Sequence, residues 1–83
     1  MNIKLNSLSE ASKFASICGT YEEDIDIIVG RYVIDAKSYL GILSTGLTKE
    51  MKIVFHGCLN RQNMFYSKIK QWEVEQWHQQ IYI

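Results

Sequence analysis

The chain has 83 residues and no proline, with nine basic side chains against nine acidic ones for a formal net charge of +0. That length suits one domain over residues 1–83, and 47% apolar residues supply a small core, which argues against disorder. Balanced charge argues against nucleic acid as a partner, and no apolar run approaches the roughly 20 residues of a membrane span.

Met1, Ile3 and Leu5 alternate with Asn2, Lys4 and Asn6, the period of a half-buried strand. The same alternation leaves no apolar core for a signal peptide, so a cytoplasmic location is expected. Leu8, Ala11, Phe14, Ala15 and Cys18 then follow helical spacing, with Gly19 as a stop. Ser7-Leu8-Ser9-Glu10 reads S-x-x-E, a capping box. Ser7 Oγ should accept from the Glu10 N–H, and the Glu10 carboxylate should reach back to the N–H of Ser7.

Ile25, Ile27 and Val29 alternate with Asp24 and Asp26; Gly30-Arg31 supplies a turn; and Tyr32, Ile34 and Ala36 return on one face. This pattern predicts a β-hairpin whose turn type stays open. Ser38–Thr45 reads as a short helix with Ser38 as N-cap and Gly46 as its stop. Met51, Ile53 and Phe55 mark a fourth strand that ends at Gly57. A longer helix should start with Asn60 as N-cap, with Leu59 and Met64 as a hydrophobic staple. The order β-α-β-β-α-β-α implies an α/β (α+β) two-layer domain with its helices on one face of the sheet. Asp24, Asp26, Asp35, Lys4 and Lys52 suit the other, open face.

Cys18 and Cys58 stand 40 positions apart without ligand spacing, so no metal site or cofactor is expected. Both are expected as small buried hydrophobes, with a disulfide as the alternative. The carboxylates of Glu22, Glu23, Asp24 and Asp26 lack calcium-loop spacing and read as a solvated turn. No nucleophile–base pair or glycine-rich phosphate loop appears, so an enzyme is not expected.

The segment Lys37-Ser38-Tyr39-Leu40-Gly41-Ile42-Leu43-Ser44-Thr45-Gly46 resembles the regulatory serine region of HPr, the histidine-containing phosphocarrier of the bacterial sugar phosphotransferase system. Lys37, Ser38, Gly41, Ser44 and Gly46 carry the match, and the element order is also that family's. The resemblance implies an HPr-like open-faced sandwich, a four-stranded antiparallel sheet with three helices on one face, and residues 73–83 as an extended tail. It also implies protein partners. In the family a histidine at the start of the first helix receives and passes on a phosphoryl group, followed closely by an arginine and a proline. Here Ser7, Ser9 and Glu10 stand at those positions. A serine ester is too inert for a reversible relay, so the resemblance implies a non-catalytic, protein-binding or regulatory relative without the phosphohistidine site. A ferredoxin-like domain is the competing fold.

Ser38 has two readings, a plain N-cap or a site of regulatory phosphorylation. The helix after it is too apolar for its length. Ile42 and Leu47 are the core candidates, while Tyr39, Leu40 and Leu43 should be partly exposed. They read either as ordinary surface or as the family's docking patch. In the last helix Phe65, Ile69 and Trp72 form a core stripe, while Tyr66, Val74, Trp77 and Ile81 form a second, largely opposite one. Either the chain bends or leaves the helix near Glu73 and lets Trp77 fold back onto the domain, or that stripe, with Trp77, is an interface for a partner or a second copy.

Overall fold

Apolar side chains alternate at strand spacing in four segments and recur at helical spacing in two long ones, and this pattern sets the architecture. The computed structural model describes residues 1–74. Strands β1 (Asn2–Lys4), β2 (Asp24–Val29), β3 (Tyr32–Asp35) and β4 (Glu50–His56) form one sheet in the order β1-β4-β2-β3. Every pairing is antiparallel. Helices α1 (Leu8–Gly19), α2 (Tyr39–Gly41) and α3 (Leu59–Ile69) complete the frame. Burial of the apolar set falls on one sheet face, where Ile3, Ile25, Ile27, Met51, Ile53 and Phe55 meet Phe14, Ile42, Phe65 and Ile69. This is the expected two-layer α/β arrangement. No charged or polar side chain is buried among the described residues.

The hairpin closes through Gly30 at φ +58°, and Arg31 keeps a negative φ. A positive φ at the first central residue alone is the type II′ pattern, whose twist matches that of the strands. Ile34 in β3 and Ala36 just after it turn toward the helices, but Tyr32 is largely exposed because β3 is the sheet edge and no helix covers its start. Helix α1 ends without a left-handed glycine. Thr20 caps it, its Oγ1 donating to the Ile17 carbonyl at 2.7 Å. Leu8 shares the spacing of the α1 core stripe, yet it is exposed on the first turn while Ala11, Phe14, Ala15 and Cys18 are buried.

Further local expectations change. The segment after Ser38 is not one regular helix: α2 makes a single α-turn and Ile42–Gly46 continues as a π-turn. The Leu47 N–H reaches the Ile42 carbonyl at 3.0 Å, which closes the wider loop. Ile42 is buried, whereas Leu47 is only half-buried.

Helix α3 starts two residues before the sequence pattern suggests, with Cys58 as N-cap. The Gln62 N–H donates to the Cys58 carbonyl at 2.9 Å, so the turn is already closed at Asn60. Leu59 and Met64 are therefore both exposed and form no core staple. The same shift leaves Cys58 exposed, while Cys18 is buried; both are free thiols, which rules out the disulfide.

Past α3, Lys70–Trp72 tightens into a 3₁₀ turn and Glu73 is extended. Glu73 bridges Ile3, and the Val74 N–H donates to the Asn2 carbonyl at 2.9 Å. Trp72 is thereby buried edge-on against Phe14, with ring centroids 6.0 Å apart. The chain leaves the helix just before Glu73, which answers only the part of the first alternative that precedes Trp77. Tyr66 belongs to the packed side, its hydroxyl donating to the Ile53 carbonyl at 3.3 Å. Trp77 and Ile81 lie outside the described residues.

Candidate functional site

The start of α1 is built from local hydrogen bonds. Ser7 is extended and its Oγ accepts from the Glu10 N–H at 3.1 Å. The Glu10 carboxylate accepts at 2.8 Å from the N–H of Asn6, one residue further back than the Ser7 N–H that the capping-box pattern predicts. The reason is the fold of the preceding chain. The Leu5 carbonyl is held by the Thr48 N–H at 2.8 Å, and Asn6 turns its N–H toward the helix. The helix end therefore carries a side-chain anion beside its first turn, where the macrodipole favours negative charge.

Thr48 is the one non-glycine among the described residues with a left-handed backbone, φ 65°. For a β-branched residue this conformation is strained, and its bond to Leu5 fixes it. Sequence reasoning missed Thr48. A signal for it hardly exists, because no Gly or Asn marks the position.

At the other candidate, Ser38 Oγ accepts from the Gly41 N–H at 3.1 Å, and the Ser38 N–H donates to the Asp35 carbonyl at 2.9 Å. Ser38 is thus the N-cap its sequence suggests, half-buried. Lys37 beside it is drawn away from the serine, its Nζ donating to the Tyr21 carbonyl at 2.7 Å. Of the docking candidates, Leu40 is 75% exposed, while Tyr39 and Leu43 are half-buried and packed against the core. They share one short turn, but Leu40 alone projects fully into solvent. Trp77, the fourth candidate, lies outside the described residues.

The histidines do not approach Ser7. His56 ends β4, with Nε2 at 2.8 Å from Asp26 Oδ2 on the open sheet face. It lines a hollow of about 460 Å³ with Asp24, Ile25, Asp26 and Asp35. No group of three metal-ligating side chains occurs among the described residues. The second histidine, His78, is outside them.

Two thiols and one ion pair complete the chemistry. Burial pushes the Cys18 thiol up to about 12. Arg61 and Glu23 form a forked pair at 2.8 and 3.2 Å, and the guanidinium's hydrogen bonds hold the Glu23 carboxyl below its ordinary value. The Arg61 guanidinium also lies 5.0 Å from the Tyr21 ring centroid.

Comparison with solved structures places the fold. The chain is similar to the crystal structure of HPr-C-His from Thermoanaerobacter tengcongensis, with TM-score 0.67 and 19% identity over 83% of this chain and 84% of that one. It is also similar to the phosphocarrier protein HPr from Bacillus anthracis str. Ames, with TM-score 0.59 and 20% identity over 77% of this chain and 84% of that one. No protein-family model matches the sequence, and no curated protein does. The fold is HPr-like, as the serine-segment resemblance implies. Among the described residues no helix is long and apolar enough to cross a membrane.

Proposed function

We propose that the chain is a non-catalytic HPr-like module, related to the bacterial sugar phosphotransferase system, that binds a protein partner in the cytoplasm and does not carry phosphate on histidine. The observation that supports this reading most is the start of α1. There Ser7 stands where the HPr resemblance places the phosphohistidine, and its Oγ and the Glu10 carboxylate already accept from the Glu10 and Asn6 N–H groups. An incoming phosphate would find those two donors already occupied and would meet a like charge in the Glu10 carboxylate. The test is incubation with enzyme I and phosphoenolpyruvate, followed by intact mass analysis at neutral and acid pH. The expected result is no acid-labile phosphate on the chain or on its Glu10→Ala variant. An acid-labile adduct on either would overturn the reading.

Partner binding is assigned to Leu40 with Tyr39 and Leu43. An apolar side chain three-quarters exposed at the head of a short turn suits a docking contact. Leu40→Asp should abolish capture of one prominent partner from the native extract. An unchanged bound set would remove this surface from consideration.

A second reading is favoured by the N-cap at Ser38. A phosphate on Ser38 Oγ would add negative charge at the start of α2 and beside Leu40. Incubation with the HPr serine kinase should then add one phosphate that is lost in Ser38→Ala.

A further inference from the structure

The two edges of the sheet are treated differently. Outside β1, the chain's own Glu73 and Val74 pair with Ile3 and Asn2. Outside β3, no strand pairs among the described residues. Edge strands are usually protected by lysine, proline or a bulge. Tyr32–Asp35 is short, itself a partial protection, but has none of these three, and Tyr32 and Val33 are both more than 60% exposed.

The direction of the free main-chain groups follows from the ladder. The Ala36 N–H donates to the Ile25 carbonyl at 2.9 Å. Hydrogen-bonded pairs alternate along an antiparallel ladder, so Ile34 and Tyr32 also point their groups at β2. Val33 and Asp35 then turn theirs outward. The Ser38 N–H already occupies the Asp35 carbonyl. The open edge therefore presents the N–H and C=O of Val33 and the N–H of Asp35.

We infer that this edge is a self-association site, which pairs β3 of one copy antiparallel with β3 of a second about a two-fold axis at Val33. In that register Val33 exchanges both main-chain bonds with its counterpart, and the Asp35 N–H finds the Arg31 carbonyl of the other copy. Tyr32 stands beside Ile34. Arg31 stands beside Asp35, which supplies charge complementarity on both sides of the axis. Arg31 makes no ion pair among the described residues. Asp35 sits directly across from Asp26 on the open face, a like-charge pair that Arg31 of the second copy neutralises. Ile28 lies across from Val33, so the joined sheets share an uninterrupted apolar centre. Sliding the register to oppose Val33 and Asp35 would set Arg31 against Lys37 and require the occupied Asp35 carbonyl. The charges therefore select the first register.

The contact is smaller than the roughly 800 Å² per partner of a stable complex, so association belongs at roughly 10 μM to 1 mM. Sedimentation velocity of the full chain across that span should show monomer passing to dimer. Amide exchange at Val33 and Asp35 should slow over the same span. Val33→Pro removes only an outward N–H, which an edge strand tolerates, and should leave the circular dichroism unchanged while abolishing the dimer. Arg31→Glu, a turn substitution remote from the core, should weaken association at least about tenfold by opposing two carboxylates. A chain monomeric at every concentration overturns the inference. So does a dimer that survives both variants with Val33 exchanging freely, because its contact then lies elsewhere.

Discussion

Ser7 and Glu10 hold the first turn of α1 through two separable hydrogen bonds. The first uses the Ser7 hydroxyl and a main-chain N–H; the second uses the Glu10 carboxylate and the Asn6 N–H. Ser7→Ala removes the bond to the helix itself and should cost about 1 kcal/mol. Glu10→Ala leaves the Ser7 bond in place and should cost less. Urea denaturation of the two variants gives this order directly, and a larger loss in Glu10→Ala would contradict it. The serine cap was legible because it is encoded within four consecutive residues. The shift of the donor from the Ser7 to the Asn6 N–H was not, because it depends on Thr48 holding Leu5 from a distant part of the chain. The cysteines follow the same division. Cys18 falls on the buried stripe of α1, whereas the exposure of Cys58 is not encoded near it, because nothing there in the sequence says where α3 begins. Cys58 is exposed and Cys18 is fully buried, with its thiol pushed up to about 12 by desolvation. One equivalent of thiol reagent should therefore react promptly with the native chain at pH 8, and the second only on unfolding. Mass mapping of the modified cysteine checks the assignment.

Elements in this fold are set by contacts as much as by propensity. The clearest case is the approach of α2 to β3. A Cβ on Gly41 would stand 2.7 Å from Ile34 Cγ2, too close for any real contact. Gly41→Ala would gain about 1 kcal/mol of helix propensity, but the overlap costs typically 1–3 kcal/mol. The overlap should win, because Ile34 is itself packed against the core. Thermal melts of Gly41→Ala should show a net loss in the native background and none, or a gain, in an Ile34→Ala background. Loss of the same size in both would move the decisive contact to Ser38 Oγ, 3.2 Å from the same Cβ. The Lys37–Gly46 segment thus has a physical reason for its glycine besides resemblance. Strand existence, strand order in sequence and the core side of each strand were readable from alternation. The start of α3 was not: Asn60 is a good N-cap by type, but the forked Arg61–Glu23 pair and burial of Phe65 and Ile69 fix the helix from its other turns. The π-turn at Ile42–Gly46 likewise has no period that a sequence pattern could show.

Across the whole molecule, stability rests on ties that close distant parts of a small chain. Glu23 joins the loop before β2 to α3 through Arg61. Its folded carboxyl lies below the ordinary 4.5, so its contribution is present above that pH and is lost as pH falls through the lowered value. Glu23→Gln should be less stable than the native chain at pH 7, and the difference should shrink below about pH 4.5 in urea titrations. A difference constant with pH would assign Glu23 a packing role instead. Trp72 is the second tie. Its ring packs edge-on to Phe14, and the residues after it pair with β1, so the indole anchors the end of the described chain against its beginning. The stripe Phe65, Ile69 and Trp72 was visible in the sequence. What the helical wheel could not show is that Trp72 reaches the core from a 3₁₀ turn rather than from the helix. Truncating a buried tryptophan to alanine costs about 3–5 kcal/mol, and domains typically hold only about 5–15 kcal/mol in all. A chain this short lies toward the low end of that range. Trp72→Ala should therefore be largely unfolded near 37 °C, while Trp72→Phe keeps a ring against Phe14 and should remain folded with a lower melting temperature. Far-ultraviolet circular dichroism of both variants on heating separates them. If Trp72→Ala melted within a few degrees of the native chain, the link between the two ends would contribute little and the core of the four strands would stand without it.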